Sequence, residues 1–329
     1  MPTTSDSEGM IQTVRGLVRP EQLGVTLPHE HVYIQLWEIP GRHDYAGQLE
    51  DDEILQQEVL AFKNLGGQSI VDCTVSGIGR SPERLRRMSE LTGVNVVMGC
   101  GWYREPYYPP AALIDHRPVE DLAREIISEI NGGVAGSGIC PGIIGEVGTD
   151  KSWVSAQEER VHRAAARAHL ATGLAITTHS IGKPVGLAEL AIFEDEGVDP
   201  RRVIIGHCDQ PFCLFLDYHL EILKRGANVQ FDTWGNKTPE LEERAFRILL
   251  QLLDLGYAGQ LLLSQDVCKI QHLRYLGGNG FTYVLGTLLP KLHQAGVPEA
   301  VTTKITVENP KRLLTIKVQQ AAEKSRLSC

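Results

Sequence analysis

The stretch 143–179, IIGEVGTDKSWVSAQEERVHRAAARAHLATGLAITTH, contains one complete structural unit of this chain. Residues 143–147 and 174–178 are apolar runs of strand length. Between them, Ser155 and Glu158 form a capping box, which predicts a helix that ends at Gly173. The stretch is therefore a strand, a helix and a second strand. Glu146 and His179 stand near the two strand ends, and both residue types can bind a metal ion or exchange a proton.

The same unit of strand and helix recurs along the whole chain. Apolar runs end near residues 34, 74, 99, 147, 178, 205, 231 and 264, and a helical pattern follows each of them. Continuous apolar runs are typical of parallel strands that are covered on both faces. Eight such units predict an α/β fold, a (β/α)8 TIM barrel, as one domain over residues 1–329. A doubly wound open sheet is the alternative, but no Gly-x-Gly-x-x-Gly follows the first strand.

Composition narrows the functions open to this chain. The 329 residues are 42% hydrophobic and 22% charged, as in an ordinary globular protein. A net charge of -9 without a basic run argues against a nucleic-acid partner, and no apolar stretch is long enough for a membrane span. Residues 1–10 read as a disordered polar leader rather than a signal peptide. Seven cysteines without a Cys-x-x-Cys pair indicate reduced thiols, so we expect a cytoplasmic protein.

Six side chains that can bind metal fall at strand ends, where the active site of such a barrel lies. They are His29, His31, Glu146, His179, His207 and Asp266. Each one alone has a simpler explanation, as a hydrogen-bonded core residue or a helix cap. His29 and His31, however, are two residues apart in an extended segment and therefore share a face. The whole set indicates a site for divalent metals such as zinc, with two ions bridged by one carboxylate.

Several motifs carry a family resemblance that extends over about the whole chain. They are TVRGLV (13–18), LGVTLPHEH (23–31), NVVMGCGWY, EVGTD, TTHS, GHCD, QFDT and VENPKRLL (307–314). Together they resemble the phosphotriesterase family of the amidohydrolase superfamily. The resemblance implies a homodimer, a small-molecule substrate and a distorted barrel with two divalent ions, zinc first, with Mn²⁺, Co²⁺ or Fe²⁺ as alternatives. It also implies that His29, His31 and Asp266 bind the buried ion, and that His179 and His207 bind the more exposed one.

One position departs from the best-known members, which carry a carboxylated lysine at the end of the fourth strand. This chain has Glu146 there, as in the phosphotriesterase-homology subgroup, so the resemblance implies that Glu146 bridges the ions together with a hydroxide. We expect such a centre to assemble without bicarbonate. The hydroxide would attack a carbonyl or phosphoryl group, with Asp266 as general base or proton shuttle. Asp209 would orient a ligand or relay the proton, and a helix cap or loop salt bridge is the alternative for it.

The loops that follow the strands should supply the substrate pocket. Our main candidates are Tyr103 and Arg274, followed by Trp102 and Lys183, and the same loops carry Arg104, Trp234, Lys269 and His272. Loop packing or surface charge is the alternative for each. The sequence thus predicts a hydrolase of an ester-type bond, in a carboxylic ester, lactone or N-acyl amide, with phosphotriester cleavage as a possible side activity. A metal-dependent lyase or isomerase and a catalytically degenerate, ligand-binding barrel are the alternatives.

Overall fold

The computed structural model describes residues 9–36, 47–180 and 184–318. Within these residues, eight parallel strands form one sheet, nearly closed into a barrel, whose order follows the chain. The barrel strands are β3 (Thr26–Glu30), β6 (Ser69–Asp72), β7 (Asn95–Cys100), β8 (Ile143–Thr149), β9 (Ile176–Ser180), β10 (Val203–Ile205), β11 (Asn228–Phe231) and β12 (Leu261–Leu263). The remaining strands form two antiparallel hairpins, β1 (Ile11–Thr13) with β2 (Gly16–Val18) and β4 (Ile34–Gln35) with β5 (Gln48–Leu49). The predicted (β/α)8 barrel is confirmed.

Helices connect successive barrel strands. They are α1 (Asp52–Asn64), α2 (Pro82–Thr92), α3 (Val119–Gly132), α4 (Ala156–Thr172), α5 (Gly186–Asp195), α6 (Leu216–Lys224) and α7 (Pro239–Asp254), with α8 (Leu289–Gln294), α9 (Glu299–Thr303) and α10 (Asn309–Leu314) after the last strand. Two π-helical segments, Val284–Leu288 and Lys304–Glu308, precede α8 and α10. The predicted capping box of α4 is present, since the Ser155 hydroxyl accepts a hydrogen bond from Glu158 N and Gly173 adopts the left-handed conformation that ends the helix.

Burial of the strands on both faces explains their sequence. Every residue of β3, β6, β8 and β9 is buried, because side chains alternate between the barrel interior and the layer of helices. The apolar side chains pack into these two layers, and the polar ones need partners there. A polar side chain within a barrel strand is therefore either a member of an internal network or part of a functional site.

Two glycines allow neighbouring strands to approach closely at the carboxyl end of the barrel. Gly145 has a φ of +110°, and a Cβ at this position would lie 2.1 Å from Thr177 O. A Cβ at Gly206 would lie 2.1 Å from Thr178 O. Neither position can hold a side chain without moving the backbone. Each glycine directly precedes one of the six side chains predicted to bind metal, so the close approach sets the position of that side chain.

The amino-terminal end of the barrel is closed by the two ends of the described chain. Gly9 N donates to Ile316 O, and Ile316 N donates to Met10 O, each at 2.9 Å. Residues 1–8 of the predicted leader lie outside the described residues. In the described part of the chain, none of the helices combines the length and the apolar character needed to cross a membrane.

Candidate metal centre

The six side chains predicted to bind metal meet at the carboxyl end of the barrel. Three lie within strands β3, β8 and β9, and these are His29, Glu146 and His179. Three lie in the turns after β3, β10 and β12, and these are His31, His207 and Asp266. All are buried except Asp266, whose side chain is 15% exposed and lines a cavity. The barrel thus brings together six residues that are up to 237 positions apart in the sequence.

Glu146 stands at the centre of this cluster. Its Oε2 lies 2.8 Å from His179 Nδ1, 3.2 Å from His29 Nε2 and 3.7 Å from His207 Nε2. Its Oε1 lies 3.3 Å from His31 Nε2. One carboxylate therefore faces four imidazoles, with its two oxygens directed at different rings. This is the arrangement that a carboxylate between two cations requires.

Asp266 faces the two histidines of the first barrel strand. Its Oδ1 lies 3.4 Å from His31 Nε2 and 3.9 Å from His29 Nε2. Two triads result, within each of which the donor atoms lie inside 4.8 Å of one another. One is His29, His31 and Asp266, and the other is His29, Glu146 and His207. His29 belongs to both triads, which places it between two possible ion positions.

The surroundings of His29 fit a bound cation. This side chain is 0% exposed, and neither of its ring nitrogens makes a hydrogen bond within the described residues. Its nearest polar atoms are carboxylate oxygens, Glu146 Oε2 at 3.2 Å from Nε2 and Asp232 Oδ2 at 3.4 Å from Nδ1. An imidazole buried without a well-formed hydrogen bond is costly, because it loses its hydrogen bonds to water. An ion bound at Nε2 would restore the lost interaction. Imidazole and carboxylate together are also the donor set preferred by zinc and similar ions.

His179 and His207 present their ring nitrogens to each other, with His179 Nδ1 2.6 Å from His207 Nε2. The outer nitrogens have separate partners, since His179 Nε2 lies 3.0 Å from Tyr103 Oη and His207 Nδ1 lies 2.7 Å from Asp232 Oδ1. When each outer N–H donates to its oxygen partner, both inner nitrogens keep a lone pair. In the neutral rings, the Asp232 carboxylate fixes the proton of His207 on Nδ1, whereas the Tyr103 hydroxyl can accept from His179 Nε2 or donate to it. The arrangement with both outer N–H groups is the one in which the two rings can bind a cation.

Asp232, directly after β11, is a residue of the site that our sequence interpretation missed. Its two carboxylate oxygens accept from His207 N at 3.1 and 3.0 Å, and Oδ2 lies 3.4 Å from His29 Nδ1. One carboxylate therefore orients a histidine of each ion position. The signal was available, because QFDT places Asp232 at a strand end like the other carboxylates.

Charges within the cluster shift several pKa values. Burial lowers the pKa of His179 to about 4, so its imidazole is neutral at physiological pH. Burial also lowers the pKa of His207, but the Asp232 carboxylate outweighs it and raises the value to about 10. Burial raises the pKa of Glu146, but its interactions and hydrogen bonds with His179 and His29 outweigh burial and hold the pKa well below its usual range. The pKa of Asp266 is likewise lowered against burial, by His31 and then His207. Both carboxylates are therefore ionised, as metal ligands must be.

Two cluster residues have left-handed backbone. His207 has a φ of +54° and Asp266 a φ of +48°, although neither is glycine. This conformation is costly for residues that carry a Cβ, and it persists only where the surroundings hold it. Asp232 holds His207 N, and Asp266 N donates to His29 O at 3.3 Å. Two of the four non-glycine residues with positive φ in the described chain therefore belong to the cluster, the other two being Leu113 and Ala135 elsewhere.

In the described part of the chain, none of the hydrogen bonds of Asp209 reaches the six side chains of the cluster. It accepts from Asp232 N at 3.2 Å and from Thr233 N at 3.0 Å, and it pairs with Lys237 Nζ at 2.5 Å. These contacts correspond to the loop salt bridge that was the alternative for this residue. Asp209 therefore supports the turn that carries Asp232.

A cavity of about 630 Å³ opens over the cluster. Of the sequence candidates, Tyr103, Arg104, Lys269 and His272 line it, together with His31, His179, His207 and Asp266. Among the described residues, Arg274 lies instead on a separate groove against α1, and Trp102 and Trp234 are buried in the core. Lys183 lies outside the described residues. Neighbouring residues of a loop point in directions that the sequence does not reveal, so some candidates face the cavity and others face the core or another surface.

The described geometry agrees with comparisons to known proteins. A model of the phosphotriesterase family matches residues 9–314. The phosphotriesterase homology protein of Escherichia coli (strain K12) is 35% identical over 87% of this chain and 96% of its own length. Its crystal structure, with phosphate in the active site, has a TM-score of 0.83 and 34% identity, covering 89% of this chain and 99% of that one.

Two further relatives are named for their activities. An N-acetyltaurine hydrolase of Xenopus tropicalis is 29% identical over 95% of this chain and 100% of its own length. The crystal structure of a lactonase from Listeria monocytogenes has a TM-score of 0.86 and 27% identity, covering 94% of this chain and 99% of that one. Both named activities cleave a bond at a carbonyl carbon with water.

Proposed function

We propose that this chain, which belongs to the phosphotriesterase family and is a metal-dependent hydrolase of ester-type bonds, acts through a binuclear centre. The proposed reaction is the hydrolysis of a carboxylic ester, a lactone or an N-acyl amide. One observation carries the proposal. Two triads of donor atoms share His29, and Glu146, a member of one of them, directs its two oxygens at different rings.

The roles of the side chains follow from their surroundings. When bound, two divalent ions would lower the pKa of water and polarise a carbonyl group of the substrate. His29, His31 and Asp266 would hold one ion, His179 and His207 the other, and Glu146 would bridge them. The Asp266 carboxylate is ionised and partly exposed to the cavity, so it can accept the proton of the attacking water. Tyr103 would orient His179 and border the substrate.

Charge in the cavity supports a substrate that carries a negative group. Arg104 is paired with Asp150, and Lys237 with Asp209. Lys269 also lines the cavity, is exposed, and forms no ion pair within the described residues. A carboxylate, sulfonate or phosphate on the substrate would find its counter-charge there. The N-acetyltaurine hydrolases among the relatives support an N-acyl amide of this kind.

Metal titration with a substrate screen tests the reaction. Protein stripped with a chelator would receive zinc or manganese in steps and be assayed against lactones, N-acyl amino acids and aryl phosphotriesters. We expect activity on a carbonyl substrate that reaches its maximum at two ions per chain, and at least about 100-fold lower kcat in Asp266→Asn assayed with saturating metal. Full activity with one ion, or cleavage of phosphotriesters alone, would contradict the proposal.

Lys269→Met tests the negative group separately. We expect KM for an N-acyl amino acid to rise about fivefold, since one exposed ion pair contributes about 1 kcal/mol, while KM for a neutral lactone stays the same. Lys304→Met, at the opposite end of the barrel, is the matched control. An equal rise for both substrates would exclude recognition of charge by Lys269.

Assembly and location also remain proposals. We propose a homodimer in the cytoplasm, on the family resemblance and on the free state of the six described cysteines. Sedimentation equilibrium of the full chain at micromolar concentration tests the assembly, and a monomer would contradict it.

A further inference from the structure

Glu30, between His29 and His31, points away from the metal cluster and has no role in the reaction proposed above. Its side chain is 0% exposed. The carboxylate accepts three hydrogen bonds: Oε1 from Ser264 Oγ at 2.7 Å and Gln265 N at 2.8 Å, and Oε2 from Val267 N at 2.9 Å. All three donors belong to the turn after β12. A single carboxylate thus binds both backbone N–H groups that flank Asp266.

This contact lies where the first and the last strand of the barrel, β3 and β12, come together. In the described residues, β3 and β12 stand at the two ends of the hydrogen-bonded strand order, so no ladder of the sheet joins them. Apart from those of the Glu30 carboxylate, the hydrogen bonds across this gap in the described residues are His29 N to Ser264 Oγ at 3.0 Å and Asp266 N to His29 O at 3.3 Å. Glu30 therefore supplies most of the hydrogen bonds that fix the turn against the first strand.

The turn needs this support because Asp266 is left-handed, with a φ of +48°. The strain of such a residue is about 1 to 2 kcal/mol, whereas each hydrogen bond contributes about 0.5 to 1.5 kcal/mol. The three bonds to Glu30 together can therefore outweigh the strain, whereas the left-handed residue itself has a single hydrogen bond to the first strand within the described residues, from Asp266 N to His29 O at 3.3 Å. Without Glu30, the turn would relax and Asp266 would move away from His31.

We propose that Glu30 is a positioning residue, which holds the left-handed turn at Asp266 so that its carboxylate faces His29 and His31. The inference rests on the proposed metal site, but it concerns retention of one ion rather than the bond cleaved. Glu30→Gln replaces one carboxylate oxygen by an amide nitrogen, which cannot accept a hydrogen bond from the backbone. The variant should therefore bind the ion at Asp266 less tightly and bind the other ion as before.

The matched control is Glu158→Gln. Glu158 is equally buried, and its carboxylate also accepts three hydrogen bonds, from the backbone N–H groups of Glu105, Asp150 and Ser155. These bonds fix a loop that carries no residue of the cluster. A loss of general stability should therefore be similar in the two variants, and a loss of metal should occur in Glu30→Gln alone.

The experiment measures release of zinc from the reconstituted, full-length protein to a coloured chelator. We expect two ions per chain in wild type and Glu158→Gln, and 10- to 100-fold faster release of one of them in Glu30→Gln. In Asp266→Asn, the added Glu30→Gln change should accelerate release no further, because Glu30 acts through Asp266. Ser264→Ala, which removes the hydrogen bond from Ser264 Oγ to Glu30 and the one that Ser264 Oγ accepts from His29 N, serves if Glu30→Gln does not fold.

The outcomes separate this inference from the proposed function. Wild type that retains no ion at all would refute the proposed metal centre itself. Wild type that retains two ions while Glu30→Gln and Ser264→Ala release both at the wild-type rate would refute the role of Glu30 alone. Equal acceleration by Glu30→Gln in the wild-type and Asp266→Asn backgrounds would show that Glu30 acts on the fold in general, and it would refute the role as well.

Discussion

Glu189 in α5 offers a test of the electrostatics that is independent of any metal. It is completely buried behind β8, where Oε1 accepts from Thr149 Oγ1 at 2.8 Å and lies 3.9 Å from His162 Nε2. Burial raises the pKa of Glu189 from 4.5 to about 7. The folded protein therefore binds a proton that the unfolded chain has already lost between these two pH values. Stability contributed by this group is present below pH 4.5 and is lost as the pH rises towards 7.

The size of the effect follows from the two pKa values. They differ by about 2.5, and each pKa unit corresponds to about 1.36 kcal/mol, so the total loss is about 3.4 kcal/mol. About 1.4 kcal/mol of it has already occurred at pH 5.5, which leaves about 2 kcal/mol between pH 5.5 and 8.5. Glu189→Gln removes the titration while keeping size and an acceptor oxygen. Relative to this variant, wild type should lose about 2 kcal/mol over that range.

His162 provides a control of opposite sign. Burial lowers its pKa to about 4, so the unfolded chain binds a proton that the folded protein does not. Relative to His162→Gln, wild type should therefore gain about 1.4 kcal/mol between pH 5.5 and 8.5. Urea unfolding at several pH values measures each free-energy difference. A flat difference between wild type and Glu189→Gln would refute the reasoning, because it would mean that the carboxyl does not titrate differently in the folded state.

Three further predictions concern the metal centre and its backbone. Asp232→Asn should lower metal affinity 10- to 100-fold in equilibrium dialysis, because the carboxylate orients His207 and His29, and wild-type affinity would contradict this. Metal uptake by stripped protein should not change with bicarbonate, since Glu146 already supplies a carboxylate, and greater uptake would contradict that role. Gly145→Ala should cost at least about 2 kcal/mol in urea unfolding, whereas Gly132→Ala, with open space around it, should not destabilise, and similar stability of both variants would be the contrary result.

The fold and the positions of the six cluster residues were predictable for the same reason. A parallel barrel directs the carboxyl ends of all its strands to one side, so a residue such as His207 after one strand must approach His29 in another. Asp232 follows the same rule, since QFDT places it at the end of a strand, but our prediction did not include it. The rule applies to any polar residue at a strand end, whether it binds an ion or orients a ligand.

The loop residues were not predictable in this way. Tyr103 faces the cavity and its neighbour Trp102 is buried in the core, although the two are adjacent and both aromatic. Arg274 lies in a long loop after β12, where the distance in sequence from Asp266 does not determine a direction in space. Alternation within a strand has a fixed period, whereas successive turns in a loop rotate side chains by amounts that depend on the backbone.

The buried carboxylates Glu30 and Asp232 have the same function at two residues of the cluster, Asp266 and His207. Each accepts from backbone N–H groups at or beside a left-handed residue, Asp266 in the first case and His207 in the second. Two or three hydrogen bonds to a charged oxygen contribute more than the roughly 1 to 2 kcal/mol that the backbone conformation costs. The protein can therefore hold both side chains in place without help from a cation. A site preformed in this way binds ions without a loss of conformational freedom, which is the condition for high affinity.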